Sequence, residues 1–474
     1  MKNKLFFPIL SLLFCLLVSA CTPKEKGIRK GNYRITDQGI VFDEPQRVEG
    51  QKSVLQLAVD PIENVRIGFI GLGMRGPDAV DRMTHIDGVT VVALCDIEPD
   101  RVEKVQTDII EAKGLPRAAA YAGSREAWKE LCERDDIDLV YICTDWKPHV
   151  PMAVYAMQHG KHVAVEVPAA TSLEECWQLV DVAEQTQRHC MMLENCCYDF
   201  FELTALNMAQ QGLFGELIHG EGAYIHNLEP YWHEYYDNWR LEFNQDHSGD
   251  VYPTHGLGPL CQAFDIHRGD RMKSLVSMST PSYNGKKIAK EMMDTEEFAN
   301  GDMTTTMIQT EKGKTLLIEH DVYTYRPYNR LFQLTGTEGF ANKYPVSGFT
   351  VQEDKLPEGF LPEGHKPLNP HDFVPADVRD SMMKEYLHPI AKEIEAKAKE
   401  VGGHGGMDFI MDYRLIYCLH NGLPLDEDVY DAAEWSCLGE LTAASIAEGG
   451  MPVVMPDFTR GDWDKVKGFH HAVK

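Results

Sequence analysis

The stretch Gly71-Leu72-Gly73-Met74-Arg75-Gly76 has the residue types and spacing to hold a dinucleotide. It follows a short apolar run, Val65 to Ile70, and precedes a helical pattern from about Pro77 to Met83. Glycines at 71, 73 and 76 permit a tight turn and let the backbone approach a pyrophosphate. The helix behind them directs free N–H groups and its positive end at the phosphates. A second apolar run, Val89 to Leu94, ends on Cys95-Asp96. A carboxylate at that strand tip can hold ribose hydroxyls and repels a 2′-phosphate, which favours NAD over NADP. Arg75 beside the phosphates weakens that preference. Without its flanking strands the glycine pattern would read as an ordinary turn in another doubly wound domain.

A nicotinamide cofactor needs a substrate that gives up hydride and a base that takes the alcohol proton. Simpler chemistries find no signature: there is no HExxH, no Walker A motif and no GxSxG elbow. Carboxylates are plentiful, so counting alone leaves a two-carboxylate glycosidase open. Ligands of open parallel sheets sit beyond the carboxyl ends of the strands. Asp96, Trp146, His149, Glu166 and Asn195 each lie at or just past such an end, and a shared cleft explains them together. Singly, each reads equally as a loop residue capping a helix. Further along, Tyr224 sits on an alternating strand and could be plain core. Arg240 follows Trp239 and could make a surface ion pair. His255 stands at a helix start, where it could cap, and His404 lies among glycines.

These residues require a particular set of elements. After the first strand–helix–strand unit, helices are expected at Arg101–Ala112, Arg125–Arg134, Pro151–His159 and Leu173–Gln187. Buried strands are expected at Asp138–Thr144, His162–Glu166 and Cys190–Asn195. The alternation predicts an α/β fold with a parallel sheet over about Val65 to Met192. From Phe200 the pattern becomes α+β. A helix (Phe201–Gln211) and a strand (Gly215–Asn227) lead into an aromatic- and histidine-rich loop, Tyr231 to Arg240. A helix then runs to Phe264. Strands follow near Ser274–Ser279, Thr304–Thr310, Lys314–Asp321 and Arg330–Thr335, forming an open, mostly antiparallel sheet. Tail helices are expected at Ser381–Glu400, Gly406–Asn421 and Asp428–Glu448. The expected division is 1–20 signal, 21–62 tether and N-terminal extension without clear periodicity, 63–195 Rossmann domain, and 196–474 substrate-binding domain.

With 474 residues the chain can build two domains with sizeable cores, and its formal charge of −27 argues against a nucleic acid partner. Lys2 and Lys4 precede an apolar run, Leu5 to Val18, too short to span a bilayer. Val18-Ser19-Ala20-Cys21 reads as a lipoprotein-type cleavage site, with lipidation at Cys21. Ordinary cleavage beside an incidental cysteine is the alternative. The expectation is a bacterial membrane-anchored lipoprotein, periplasmic or at the cell surface, touching the membrane only through that anchor. Most of the remaining cysteines sit in apolar runs and read as small buried hydrophobes.

The chain resembles the glucose–fructose oxidoreductase/inositol dehydrogenase/MocA superfamily in Gly71 to Gly76, Asp96, Thr144 to His149 and Glu166-x-Pro168. Members pair a Rossmann domain with an open-sheet substrate domain. Most carry Lys between that Glu and Pro, where it assists proton transfer, but Val167 stands here. The departure fits one branch. Glu166-Val167-Pro168-Ala169-Ala170, Glu194 to Tyr198, Gly222 to Asn227, Asn238-Trp239-Arg240, Tyr252-x-Thr254-His255-Gly256 and Gly403 to Asp408 look like glycoside hydrolase family 109. The resemblance covers nearly everything from Val65 to Trp463.

It implies an NAD-dependent α-N-acetylgalactosaminidase that removes terminal N-acetylgalactosamine, as from blood-group-A-type glycans. It carries NAD contact to Met74, Arg75, Asp96, Trp146, Lys147, Pro148, His149, Glu166, Val167 and Asn195, with Gly71 and Gly73 forming the turn. It carries sugar contact to Tyr224, Arg240, Tyr252, Pro253, Thr254, His255 and Tyr328. Tyr252 and His255 are the catalytic candidates, hydrogen-bond donor and base in an order the sequence leaves open. The implied cycle oxidises C3 of the sugar, acidifies C2–H, eliminates the C1 substituent, adds water and reduces C3 again. Paired carboxylates are not obligatory in such a cycle. No metal is expected, and a homo-oligomer is. Two other readings use the same residues: an NAD-dependent sugar dehydrogenase, against which the missing lysine counts, and a non-enzymatic lipoprotein that keeps NAD for stability.

Overall fold

A computed structural model describes residues 27–474. The expected signal and Cys21 lie outside the described residues. Among the described residues no helix is long and apolar enough to cross a membrane. In chain order the strands are β1 (Ile28–Lys30), β2 (Tyr33–Thr36), β3 (Gly39–Phe42), β4 (Val65–Ile70), β5 (Val89–Asp96), β6 (Ala119–Ala122), β7 (Leu139–Ile142), β8 (His162–Val165), β9 (Cys190–Met192), β10 (Leu217–Ile225), β11 (Met272–Ser279), β12 (Thr304–Thr310), β13 (Thr315–Asp321), β14 (Phe332–Gly336), β15 (Gly339–Asn342), β16 (Gly348–Val351) and β17 (Val453–Val454).

Six strands form a wholly parallel sheet in the order β6-β5-β4-β7-β8-β9. Its central strands are largely apolar, and β7 and β8 are buried at every position. Continuous runs of this kind are what helices on both faces demand. The order reverses between β4 and β7, which opens a crevice at their carboxyl ends. The other eleven strands form one sheet, β1-β2-β3-β17-β11-β12-β13-β10-β14-β15-β16. It is mostly antiparallel, with parallel pairs at β10–β13 and β3–β17.

The helix Thr254–Ala263 lies directly on β10, and glycines allow the approach. A Cβ at Gly222 would sit 2.1 Å from the carbonyl oxygen of Gly256, and one at Gly220 would sit 2.9 Å from both Leu260 and Phe264 side chains. The first turn of that helix thereby brings His255 beside Tyr224. The helix Met407–Asn421 returns to the first sheet. Its buried Asp412 accepts hydrogen bonds from Arg82 Nε at 2.7 Å and the Tyr141 hydroxyl at 2.8 Å.

Several expectations are corrected. Residues 28–42, expected to be part of an aperiodic tether and cover, form β1–β3 on the edge of the large sheet. Pairing with β17 supplies the order that sequence alone did not signal. The expected helix Ser381–Glu400 is three shorter ones, Ala376–Glu385, Pro389–Lys392 and Glu395–Val401. Pro389 lacks the N–H a continuous helix would need. Asp428–Glu448 divides into Val429–Ser436 and Leu438–Ala447, and the helix begun at Pro99 gives way to a wider turn at Gln106–Ile110. The aromatic loop ends earlier than expected, because Trp239–Asp246 is helical. The helix Asn284–Met293 and the hairpin β15–β16 had no expectation. The ten described cysteines are free and buried, as small core residues would be.

Candidate active site

The glycine turn is built as a cradle. Gly71 has φ +92°, and an added Cβ there would press on the Cys143–Thr144 backbone at 2.7 Å. A Cβ on Gly76 would meet the Gly71 carbonyl oxygen at 2.1 Å. At Gly73 the only neighbour within reach is Arg101 Nη1 at 3.7 Å, so the turn is closed behind and open in front. The helix Gly76–Met83 has no side-chain cap on its first N–H groups. An open turn under uncapped amides fits a pyrophosphate. The Asp96 carboxylate braces this turn, accepting from the N–H of Leu72 at 2.6 Å and of Glu98 at 2.9 Å. Arg101 stands 3.4 Å from it.

Arg75 leaves the turn toward two carboxylates, Glu166 at 3.4 Å and Asp408 at 3.3 Å. Asp408 also accepts from Asn195 Nδ2 at 2.6 Å and pairs with His404 Nδ1 at 2.9 Å. Burial opposes its charge, but His404, Arg75 and Arg82 hold its carboxyl far below the usual range. The loop Gly403–Asp408 thus ties the expected cofactor residues Arg75, Glu166 and Asn195 together, with half-exposed His404 on its rim. Met74 and Lys147 are exposed, Pro148 is half-buried, and Val167 is buried. His149 is fully buried, with Nδ1 2.9 Å from the Pro168 carbonyl and Nε2 3.2 Å from that of Thr144. Its side chain therefore joins two strand-end loops and does not face the crevice.

Across the crevice the expected sugar residues converge. Trp146 stacks on Tyr252 at 5.6 Å and meets Trp239 and Phe243 edge-on. Arg240 is buried, over the rings of Tyr252 at 4.6 Å and of Trp146 and Tyr235, both at 5.2 Å. It donates to the Tyr235 hydroxyl at 2.7 Å, pairs with no carboxylate among the described residues, and leaves its buried Nε–H unused. The surface ion pair considered for it is therefore absent. Tyr224 packs against Tyr252 and His255 at 4.8 and 5.3 Å. Thr254 and Pro253 are buried behind them, and Tyr328 stands exposed at the mouth.

Sequence reading missed Glu194 as a working residue. Its fully buried Oε1 lies 2.7 Å from His255 Nδ1 and accepts from the Cys196 N–H at 3.0 Å. Burial raises this carboxyl, yet His255 and the Cys196 N–H hold it below the usual range. An ionised Glu194 can only accept, so Nδ1 carries the imidazole proton and Nε2 faces the Tyr252 hydroxyl at 3.4 Å. Burial pushes the Tyr252 phenol well above its ordinary range and keeps it protonated. The adjacent buried Glu427 takes the Glu194 N–H at 3.3 Å. Burial, with Glu194 and Asp431 nearby, pushes Glu427 far up, so the two acids divide into one charged and one neutral. Glu194, Cys196 and His255 bring ligand atoms within 4.8 Å of one another, a spacing a metal ion could span. Arg330 Nη1 stands 3.3 Å from that sulfur and already places positive charge there.

Asp250, two residues before Tyr252, supplies a pH test. It is fully buried, Oδ1 accepts only the Tyr252 N–H at 3.2 Å, and Oδ2 has no partner. Burial pushes its carboxyl up from 3.8 to about 7. The native state therefore holds this proton more tightly than the unfolded chain, so the contribution is full below pH ~4 and is lost as pH rises to ~7. Asp250→Asn, which cannot ionise, is expected to match the parent at pH 4 and exceed it by about 1–3 kcal/mol at pH 8. Urea unfolding at the two pH values measures the difference, and equal gains at both would refute it.

A wholly parallel sheet with an open glycine cradle, joined to a large open sheet across an aromatic cleft, defines a two-domain oxidoreductase-type architecture. Residues 65–194 match the model of the oxidoreductase family with an NAD-binding Rossmann fold. NAD is the cofactor of this domain. The fold is shared with levoglucosan dehydrogenase solved in complex with NADH (TM-score 0.58, 17% identity, 83% of this chain and all of that one). Scyllo-inositol dehydrogenase from Lactobacillus casei is also similar (TM-score 0.57, 12% identity, 83% and 99%). Residues 198–465 match the C-terminal domain of glycosyl hydrolase 109. A glycosyl hydrolase family 109 protein of Porphyromonas gingivalis is 59% identical over 92% of this chain and 93% of its own length. One of Bacteroides fragilis is 56% identical over 98% and 99%. The chain belongs to glycosyl hydrolase family 109.

Proposed function

We propose that this glycoside hydrolase removes terminal α-linked N-acetylgalactosamine by oxidation at C3, elimination, water addition and re-reduction. The observation that carries the reading is the buried Glu194–His255–Tyr252 chain facing the cofactor crevice where Val167 replaces an amine. The Gly71–Gly76 turn and Asp96 would hold NAD, which would supply a hydride acceptor and donor for C3.

The chain's own residues account for the proton movements. In the oxidation His255 Nε2 takes the C3–OH proton, relayed through the Tyr252 hydroxyl, and passes it to water at its exposed edge before it takes C2–H. Tyr252, kept protonated, donates a hydrogen bond to the oxygen at C3 and stabilises it as charge develops when C2–H is removed. His255 Nε2 is the base, and Glu194 stabilises the imidazolium that forms. The His255 side chain is 13% exposed, which leaves it an edge for passing protons to water. Arg240, over the Tyr252 ring with no carboxylate partner among the described residues, orients a hydroxyl or the acetamido carbonyl. We further propose that the protein works as a membrane-tethered lipoprotein with lipid on Cys21.

Protein lacking residues 1–20, given p-nitrophenyl α-N-acetylgalactosaminide in deuterated water, is expected to release sugar carrying deuterium at C2 with no net NADH. Release of undeuterated sugar would refute the elimination route. NADH accumulating with free sugars would establish a dehydrogenase instead.

A further inference from the structure

We propose that Tyr231 and His226, beside Tyr328, form a binding subsite for the sugar on the leaving side of the scissile bond. The inference rests on the glycosidase reading above and extends it outward.

A continuous path of rings runs from the catalytic histidine to the surface. His255 lies 5.3 Å from Tyr224, Tyr224 lies 5.7 Å from His226, and His226 meets Tyr328 at 5.0 Å and Tyr231 at 5.5 Å. Exposure rises along it: Tyr224 is 7% exposed, Tyr231 42% and Tyr328 45%. Core packing accounts for Tyr224. It does not account for two part-exposed aromatic rings that both pack on His226, one ring removed from Tyr224.

The ring chemistry suits a neutral sugar. Aromatic faces cover the apolar C–H face of a pyranose, while phenol and imidazole edges reach its hydroxyls. The Tyr224 hydroxyl lies 3.0 Å from His226 Nδ1. Burial, with Arg240, His255 and His404 around it, lowers His226 to about 4, so the ring is neutral at working pH. With Nδ1 accepting from Tyr224, Nε2–H points its hydrogen-bonding capacity elsewhere. A site that takes a terminal sugar against His255 and Tyr252 must leave the rest of the glycan facing solvent, and exposure rises toward Tyr231, so the outer rings lie on the C1 side.

The test compares two substrates ending in the same α-linked N-acetylgalactosamine: the methyl glycoside, too small to reach Tyr231, and a trisaccharide. Wild type is expected to favour the trisaccharide in kcat/KM. Tyr231→Ala is expected to cut the trisaccharide-to-methyl ratio about tenfold, and Tyr231→Phe to keep it. A ratio unchanged in Tyr231→Ala, or a wild type that treats both substrates alike, would overturn the subsite and leave the glycosidase reading standing. No release from either substrate would overturn both.

Discussion

His255→Ala is expected to lower kcat by about 10²–10⁴-fold while the purified protein keeps its NAD. Among the described residues the imidazole hydrogen-bonds both Glu194 and Tyr252, and no hydrogen bond or ion pair joins it to the Gly71–Gly76 turn. Loss of the side chain removes the base but leaves the cradle, the Asp96 brace and the Arg75 pairs intact. Turnover of p-nitrophenyl α-N-acetylgalactosaminide and NAD released on denaturation are the two measurements. Activity within tenfold of the parent would remove His255 from the chemistry. Loss of NAD would show instead that the residue supports the cofactor.

Glu194→Gln is expected to cost about 10²-fold or more in kcat with little change in KM. Glutamine keeps the size and one acceptor but withdraws the charge that stabilises a protonated His255. The same change of a buried carboxylate behind a catalytic histidine is severe in hydrolases that use one. Glu194 acts through His255, so it is a positioning residue, and the split between kcat and KM is the diagnostic. A variant that loses thermal stability but turns over normally would reduce Glu194 to a structural acid.

The Rossmann half was legible because its signals are local: three glycines, apolar runs of strand length and an acidic strand tip. The strand-end set was legible through the rule that ligands lie beyond carboxyl ends. Glu194 was not singled out although it adjoins Asn195, because its partner stands 61 residues further on and nothing in either neighbourhood announces the pair. Asp408 is more remote still, 333 residues from Arg75. His149 went the other way: a polar residue at a strand end, as the rule requires, yet buried between two carbonyls. β1 and β2 carry Arg29, Lys30 and Arg34 among few apolar residues, so no periodicity marks them, and their order comes from neighbours. The aromatic segment at Tyr231–Arg240 read as a loop because its rings pack on Trp146 and Arg240 rather than repeating along one face.

The N-terminal edge of the large sheet meets the chain's far end. β3 pairs with β17 at Ile40 and Val453, Lys30 bridges to Glu448, and Arg460 donates to the Pro45 carbonyl across 415 residues of sequence. The first described strands are therefore the last to find their place. Until residues near Val453 exist, β1–β3 have no sheet to join, and closing so long a loop is a slow, late event in folding. The glycine cradle needs no such wait, since β4 through β9 are contiguous in sequence. The parallel sheet thus has all its strands ahead of the seam between the two ends, while Arg82 and Tyr141 wait for Asp412 from the later helix.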